Sequence, residues 1–138
     1  MPESAARRQL TVEDNLYRKL NPEHWDIETR DVSPQAFRDK YDAQSFFVER
    51  FTSAEEVLNR FARFPFAKKL CAKSNPIGRD LWDRGWAIAM VPAKLVIHLQ
   101  LTISEIREDG HVNVTAARDY AIDFAEASTV LTEDEIFG

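Results

Sequence analysis

The chain has 138 residues, the size of one domain, and a length like this removes roughly two thirds of its unfolded surface from water on folding. Its 44% hydrophobic and 30% charged residues sit near globular averages, which excludes a disordered or low-complexity chain. A net charge of -5 departs from the basic build of most nucleic-acid domains, and no apolar run approaches the roughly 18 residues of a membrane span.

Residues 1–10 lack periodicity and read as a loose arm with no apolar signal core, so a reducing cytoplasm is expected, in keeping with the lone Cys71. Thr11-x-x-Asp14 resembles a helix cap, and Leu16, Tyr17 and Leu20 then share one helical face, which predicts a helix ending at Asn21-Pro22. Ser33-Pro34-Gln35-Ala36-Phe37 reads as a cap, a proline at the first helical position and a turn anchored by Phe37. Gln44 to Phe51 is aromatic and β-branched, the composition of a strand.

Ser53-x-x-Glu56 has the form of a capping box, and Val57, Leu58, Phe61 and Ala62 trace a stripe of period 3.6, stopped by Phe64-Pro65. Phe66 to Lys73 fits either a short strand or a helical turn, and Ser74 to Gly78 has loop chemistry. Trp86 to Val91 reads as a buried strand ended by Pro92. Lys94 to Ile106 alternates apolar and polar side chains and predicts a half-buried antiparallel strand.

After it, Glu108-Asp109-Gly110 suits a three-residue hairpin loop with Arg107 facing His111 and Ile106 facing Val112. From Thr115 the spacing of Ala117, Tyr120, Ala121, Phe124 and Ala125 favours helix over continued strand, and 132–138 reads as an acidic, mobile end. Together these elements predict an α+β fold over 1–138: one core, and a three- or four-stranded, largely antiparallel sheet packed by helices on one face.

Chemistry is sparse in the pattern. No local signature of a nucleophile with its base occurs, His24, His98 and His111 do not have metal-site spacing, and the four glycines stand alone, so no catalytic residue, metal or cofactor is expected. Cys71 beside Lys68, Lys69 and Lys73 would be activated if exposed, although an unpaired cysteine is more often a small buried hydrophobe. An enzyme would need a site assembled from distant residues such as Tyr17, Arg18, Ser33, Ser45 and His98.

Charge distribution says more. Arg60, Arg63, Lys68, Lys69, Lys73 and Arg79 give 60–79 a net +6 with no acid, whereas 104–138 holds nine acids against Arg107 and Arg118, a net -7. Cations interleaved with Phe61, Phe64 and Phe66 are the mixture that grips phosphates and stacks single-stranded bases; the competing reading is phenylalanines in the core beneath a solvated cationic face. Trp25, Trp82 and Trp86 near Arg79, Asp80, Asp83 and Arg84 add residue types that dominate protein interfaces.

Five strings, Leu16-Tyr17-Arg18, Pro22-x-x-Trp25, Val32 to Phe37, Ser45 to Val48 and Ser53 to Leu58, together resemble a group of short bacterial proteins of similar size that accompany defence or conflict genes. The resemblance covers roughly residues 1–60, departs in the second half and brings no activity and no catalytic residue with it. It implies a bacterial, defence-associated setting. The expected function is a non-enzymatic accessory module that binds a protein partner or a second copy of itself. A nucleic-acid- or nucleotide-directed role through 60–79 is the alternative. Arg60, Arg63, Lys68, Lys69, Lys73, Arg79, Trp82 and Trp86 are the candidate partner- or anion-binding residues.

Overall fold

A computed structural model describes residues 9–138, so the expectation for 1–8 lies outside the described residues. Five strands, β1 (Asn15–Leu20), β2 (Gln44–Val48), β3 (Ala87–Pro92), β4 (His111–Val114) and β5 (Thr129–Val130), form one sheet in the order β4-β2-β1-β3-β5. Every neighbouring pair is antiparallel. Six α-helices accompany it: α1 (Ala54–Ala62), α2 (Pro65–Cys71), α3 (Gly78–Trp82), α4 (Ala93–His98), α5 (Ala121–Ala127) and α6 (Glu133–Phe137). The fold is therefore α+β, with five strands instead of three or four.

The first difference from expectation is β1. Leu16, Tyr17 and Leu20 fit a helical face, yet the segment is the central strand, with β3 on one side and β2 on the other. Leu16, Arg18 and Leu20 face one layer while Tyr17 and Lys19 face the other, and a strand covered on both faces loses the polar alternation that identifies half-buried strands. Asp14, expected in a first helical turn, instead closes a turn by accepting the Thr11 amide at 2.8 Å.

The alternating stretch Lys94 to Ile106 is the second. Pro92 ends β3 and Ala93–His98 coils into α4, because Ala93 and Val96, three positions apart, both reach the core. Gln100 takes a left-handed φ of 56°, after which Leu101 and Ile103 turn inward and Thr102 and Ser104 outward, so the alternation survives only there. Gly110, at φ +84°, closes the expected hairpin, with the Arg107 amide bonded to the His111 carbonyl at 3.0 Å. Ile103 pairs with Val114, one residue away from the register that Arg107 and His111 would dictate.

Helices cover both faces of the sheet, not one, and two apolar clusters result. On one face Leu16, Leu20, Phe46, Val48, Ala89, Val91, Val112 and Val114 meet Phe37, Ile106 and Phe124. The rings of Phe37, Phe46 and Phe124 lie 5.4–6.1 Å apart. On the other face Tyr17, Phe47 and Ile88 meet Val57, Leu58 and Ala62 of α1, Ala67 and Cys71 of α2, Leu81 of α3 and Ile136 of α6. Each fully buried Val, Leu, Ile or Phe side chain contributes about 1.5–3 kcal/mol.

Terminal residues 132–138, read from sequence as mobile, carry α6. The Thr132 side chain accepts the Glu135 amide, the Glu135 carboxylate accepts the Thr132 amide, and Ile136 is buried.

Arg18 is the polar exception inside the first cluster. Its Nε donates to the Ala36 carbonyl at 2.9 Å, Nη1 to the Ser45 carbonyl at 2.7 Å, and Nη2 to Asp39 Oδ2 and Gln44 Oε1, both at 3.0 Å. Buried Gln44 returns its amide to the Tyr41 carbonyl at 2.8 Å and accepts the Asp39 amide at 3.0 Å. One guanidinium thus ties β1 to β2 and to the loop between Ala36 and Gln44, with its charge answered by a carboxylate.

Both sheet rims are occupied. Along β4, Ser104 donates to the Asn113 carbonyl at 2.9 Å and Thr115 to the Thr102 carbonyl at 2.8 Å. At β5, the Arg30 guanidinium donates to the Val130 carbonyl at 2.6 Å.

Candidate interaction surface

The joint between α1 and α2 builds the most distinctive surface. Ser53 Oγ accepts the Glu56 amide at 3.1 Å and starts α1, which stops at Ala62. Phe64 adopts the extended conformation forced on a residue before proline, and Pro65 at once starts α2 in a new direction. This break fans out a series of rings: Phe47 to Phe61 at 6.2 Å, Phe61 to Phe64 at 5.4 Å, Phe64 to Phe66 at 6.2 Å and Phe66 to Trp86 at 5.1 Å.

Both ends of that ladder are anchored, since Phe47 and Trp86 are buried. Its middle is open: Phe64 is 43% exposed, Phe66 39%, and Leu70, one helical turn beyond Phe66, 38%. Contiguous exposed aromatics held in place by buried ones are a feature of binding surfaces, whereas scattered single apolar residues are not.

The cations of this region are less available than the sequence suggests. Arg60 pairs with Asp109 of the hairpin loop, Arg63 with Glu56 at 3.1 Å, Lys73 with Asp80 at 2.6 Å and Arg79 with Glu133 of α6 at 3.0 Å. Lys68 and Lys69 are exposed and make no ion pair among the described residues. Trp82 is half-buried against Phe137 at 6.0 Å, while Trp86 is buried under Phe66. Of the eight candidate residues, Arg60, Arg63, Lys73 and Arg79 are paired within the chain, while α2 brings Lys68 and Lys69 beside exposed rings. Trp25 donates its Nε1–H to the Gly85 carbonyl at 3.0 Å.

Tyr17, Arg18, Ser33, Ser45 and His98 do not converge. Tyr17 donates to Glu49 Oε2 at 3.3 Å, and burial with that carboxylate raises its pKa to about 12. Arg18 points to the opposite face, Ser33 caps the Gln35 amide at 3.2 Å, and His98 is exposed at the end of α4. Cys71 is buried within the second cluster, as a small hydrophobe would be. Among the described residues no three His, Cys, Asp or Glu side chains are grouped to hold a metal ion, and no helix is long and apolar enough to cross a membrane.

A polar row on the sheet was not foreseen. Ser45 Oγ lies 3.2 Å from His111 Nε2 and donates to Asn113 Oδ1 at 3.2 Å, because β2 and β4 pair Ser45 with Asn113 and Phe47 with His111. Alternation within His111-Val112-Asn113-Val114 was the available signal, since it places both polar residues on one face. No carboxylate bonds the other ring nitrogen of His111 among the described residues, so the row lacks the orienting acid of an acyl-transfer triad.

Burial, reinforced by the Arg60 guanidinium, holds the His111 imidazole below its ordinary pKa of 6.5. The unfolded chain consequently takes up its proton first as pH falls, and stability is lost below about pH 6.5. Urea unfolding should show a smaller loss between about pH 7.5 and 5.5 in His111→Gln than in the parent. An equal loss in both would contradict this assignment.

Family models, curated proteins and solved structures were all compared with the chain, and none matches.

Proposed function

We propose that the chain is a non-enzymatic accessory module of a bacterial cytoplasmic system and acts by binding a protein partner. The observation that carries this is the ring ladder exposed at Phe64 and Phe66, continued by Leu70 and flanked by Lys68 and Lys69. Apolar side chains beside uncompensated cations fit an amphipathic segment that alternates aromatic or leucine side chains with Asp and Glu. Four of the six cations in 60–79 are already neutralised within the chain, which favours a protein over a polyphosphate partner.

Panning displayed peptide libraries on the folded protein should enrich acidic, aromatic-containing sequences. Phe66→Asp should weaken their binding by about 30-fold or more, as expected for a central anchor. Peptides that bind parent and variant equally would overturn the proposal. So would salt-dependent capture of a single-stranded oligonucleotide in place of peptide, since the surface would then serve nucleic acid. A dimer seen by light scattering and dissolved by Phe66→Asp would identify a second copy as the occupant.

A further inference from the structure

Residues 24–33 form a small hairpin of their own. Trp25 pairs with Val32, the Asp26 amide bonds to the Asp31 carbonyl at 2.9 Å, and the Ser33 amide bonds to the His24 carbonyl at 2.8 Å. Near its tip Arg30 takes a φ of 64°, a left-handed conformation that costs energy for any residue with a side chain. Three contacts hold it there. Its amide bonds to the Asp26 carbonyl at 2.6 Å, its guanidinium donates to the Val130 carbonyl at 2.6 Å, and the same group lies 6.0 Å from the Trp25 ring centroid. Trp25 in turn donates to the Gly85 carbonyl, so the hairpin is fixed to β5 on one side and to the approach to β3 on the other.

Two open cavities of about 430 and 470 Å³ flank this hairpin and share Asp31 and Val32 as a common wall. Val32, Pro34, Ile122 and Ala125 give the first an apolar lining, with Asp31 and Glu126 as its acids. Its rim is apolar too, since Ile122 is 56% exposed. The second cavity combines Trp25 and Val32 with Glu23, Asp26 and Asp31. Four carboxylates thus line the pair against one cation, Arg30, whose guanidinium is already bonded to Val130. None of the four forms an ion pair among the described residues. The first cavity lies on α5, which packs on the first apolar cluster, whereas α1 and α2 cover the second; groove and ring ladder therefore belong to opposite faces of the sheet.

We infer that this double groove is a second docking site and takes a basic peptide segment, with one arginine or lysine side chain entering each cavity. The aliphatic stems of such side chains cover Val32, Pro34 and Ile122 in one cavity and Trp25 in the other, while their charged heads reach the carboxylates and stay close to water. Charge complementarity selects the partner: an acidic segment or a phosphate-bearing chain meets the field of four uncompensated carboxylates and is repelled. Because the hairpin is already held in place, binding orders little on the protein side.

The test measures fluorescence anisotropy of a labelled peptide of about ten residues, alternating arginine with leucine, added to the whole protein in about 0.15 M salt. Asp31→Asn combined with Glu126→Gln should weaken binding roughly ten-fold, the effect of losing two partly exposed ion pairs. Glu55→Gln combined with Glu108→Gln removes the same charge outside the groove and should change affinity less than about two-fold. Ile122→Ser should cost roughly three-fold through lost apolar contact, and Phe66→Ser nothing. Equal weakening by the two pairs of substitutions would reduce the effect to net charge and overturn the site. So would the absence of binding, or tighter binding of the same peptide with glutamate in place of arginine. An oligomer that Asp31→Asn dissolves would seat a second copy in the groove and overturn the peptide assignment.

Discussion

Arg18→Met is expected to destabilise the protein by about 2–4 kcal/mol, chiefly because buried acceptors lose a charged donor, while half-exposed Asp39 can rehydrate. Methionine fills much of the volume but satisfies none of the acceptors. The Ala36 and Ser45 carbonyls and Gln44 Oε1 would each lose a charged donor, and Asp39 its cation. Arg18→Lys should recover little, because a single ammonium cannot span acceptors arranged around a planar fork. The urea midpoint reads the effect directly, and a change below about 1 kcal/mol would show that the network is dispensable.

Phe124→Ala should cost about 3–5 kcal/mol by a different route, the cavity left behind. The ring lies 5.5 Å from Phe37 and 5.4 Å from Phe46, so its loss breaks two aromatic contacts at once. It also anchors α5, which packs on the Pro34–Phe37 turn. Phe124→Leu should cost less than half as much, and similar losses for both variants would argue against cavity formation as the cause.

Local signals were legible where the chain carries its own punctuation. Ser53 and Pro65 fix the ends of α1 and the start of α2, Ser33-Pro34 starts a 3-10 turn, and Gly110 closes the hairpin. The two larger misreadings share a cause, since a short apolar pattern does not distinguish helix from strand until neighbours are known. Leu16 to Leu20 became a strand because β2 and β3 flank it, and Ala93 to His98 became a helix because two of its residues reach the core. β5 has only two residues and carries no periodicity to detect.

The surface was half legible. Phe61, Phe64 and Phe66 stood out beside basic residues, but which of them stay exposed depends on the kink at Pro65, and which cations are free depends on Glu56, Asp80, Asp109 and Glu133.

With the outer backbone of β4 engaged by 102–104 and the Val130 carbonyl by Arg30, incoming strands find little ladder to extend. Edge-to-edge strand addition between copies is correspondingly disfavoured. Recognition is left to side chains on the helical flank, where a single charge substitution can end it without touching the sheet.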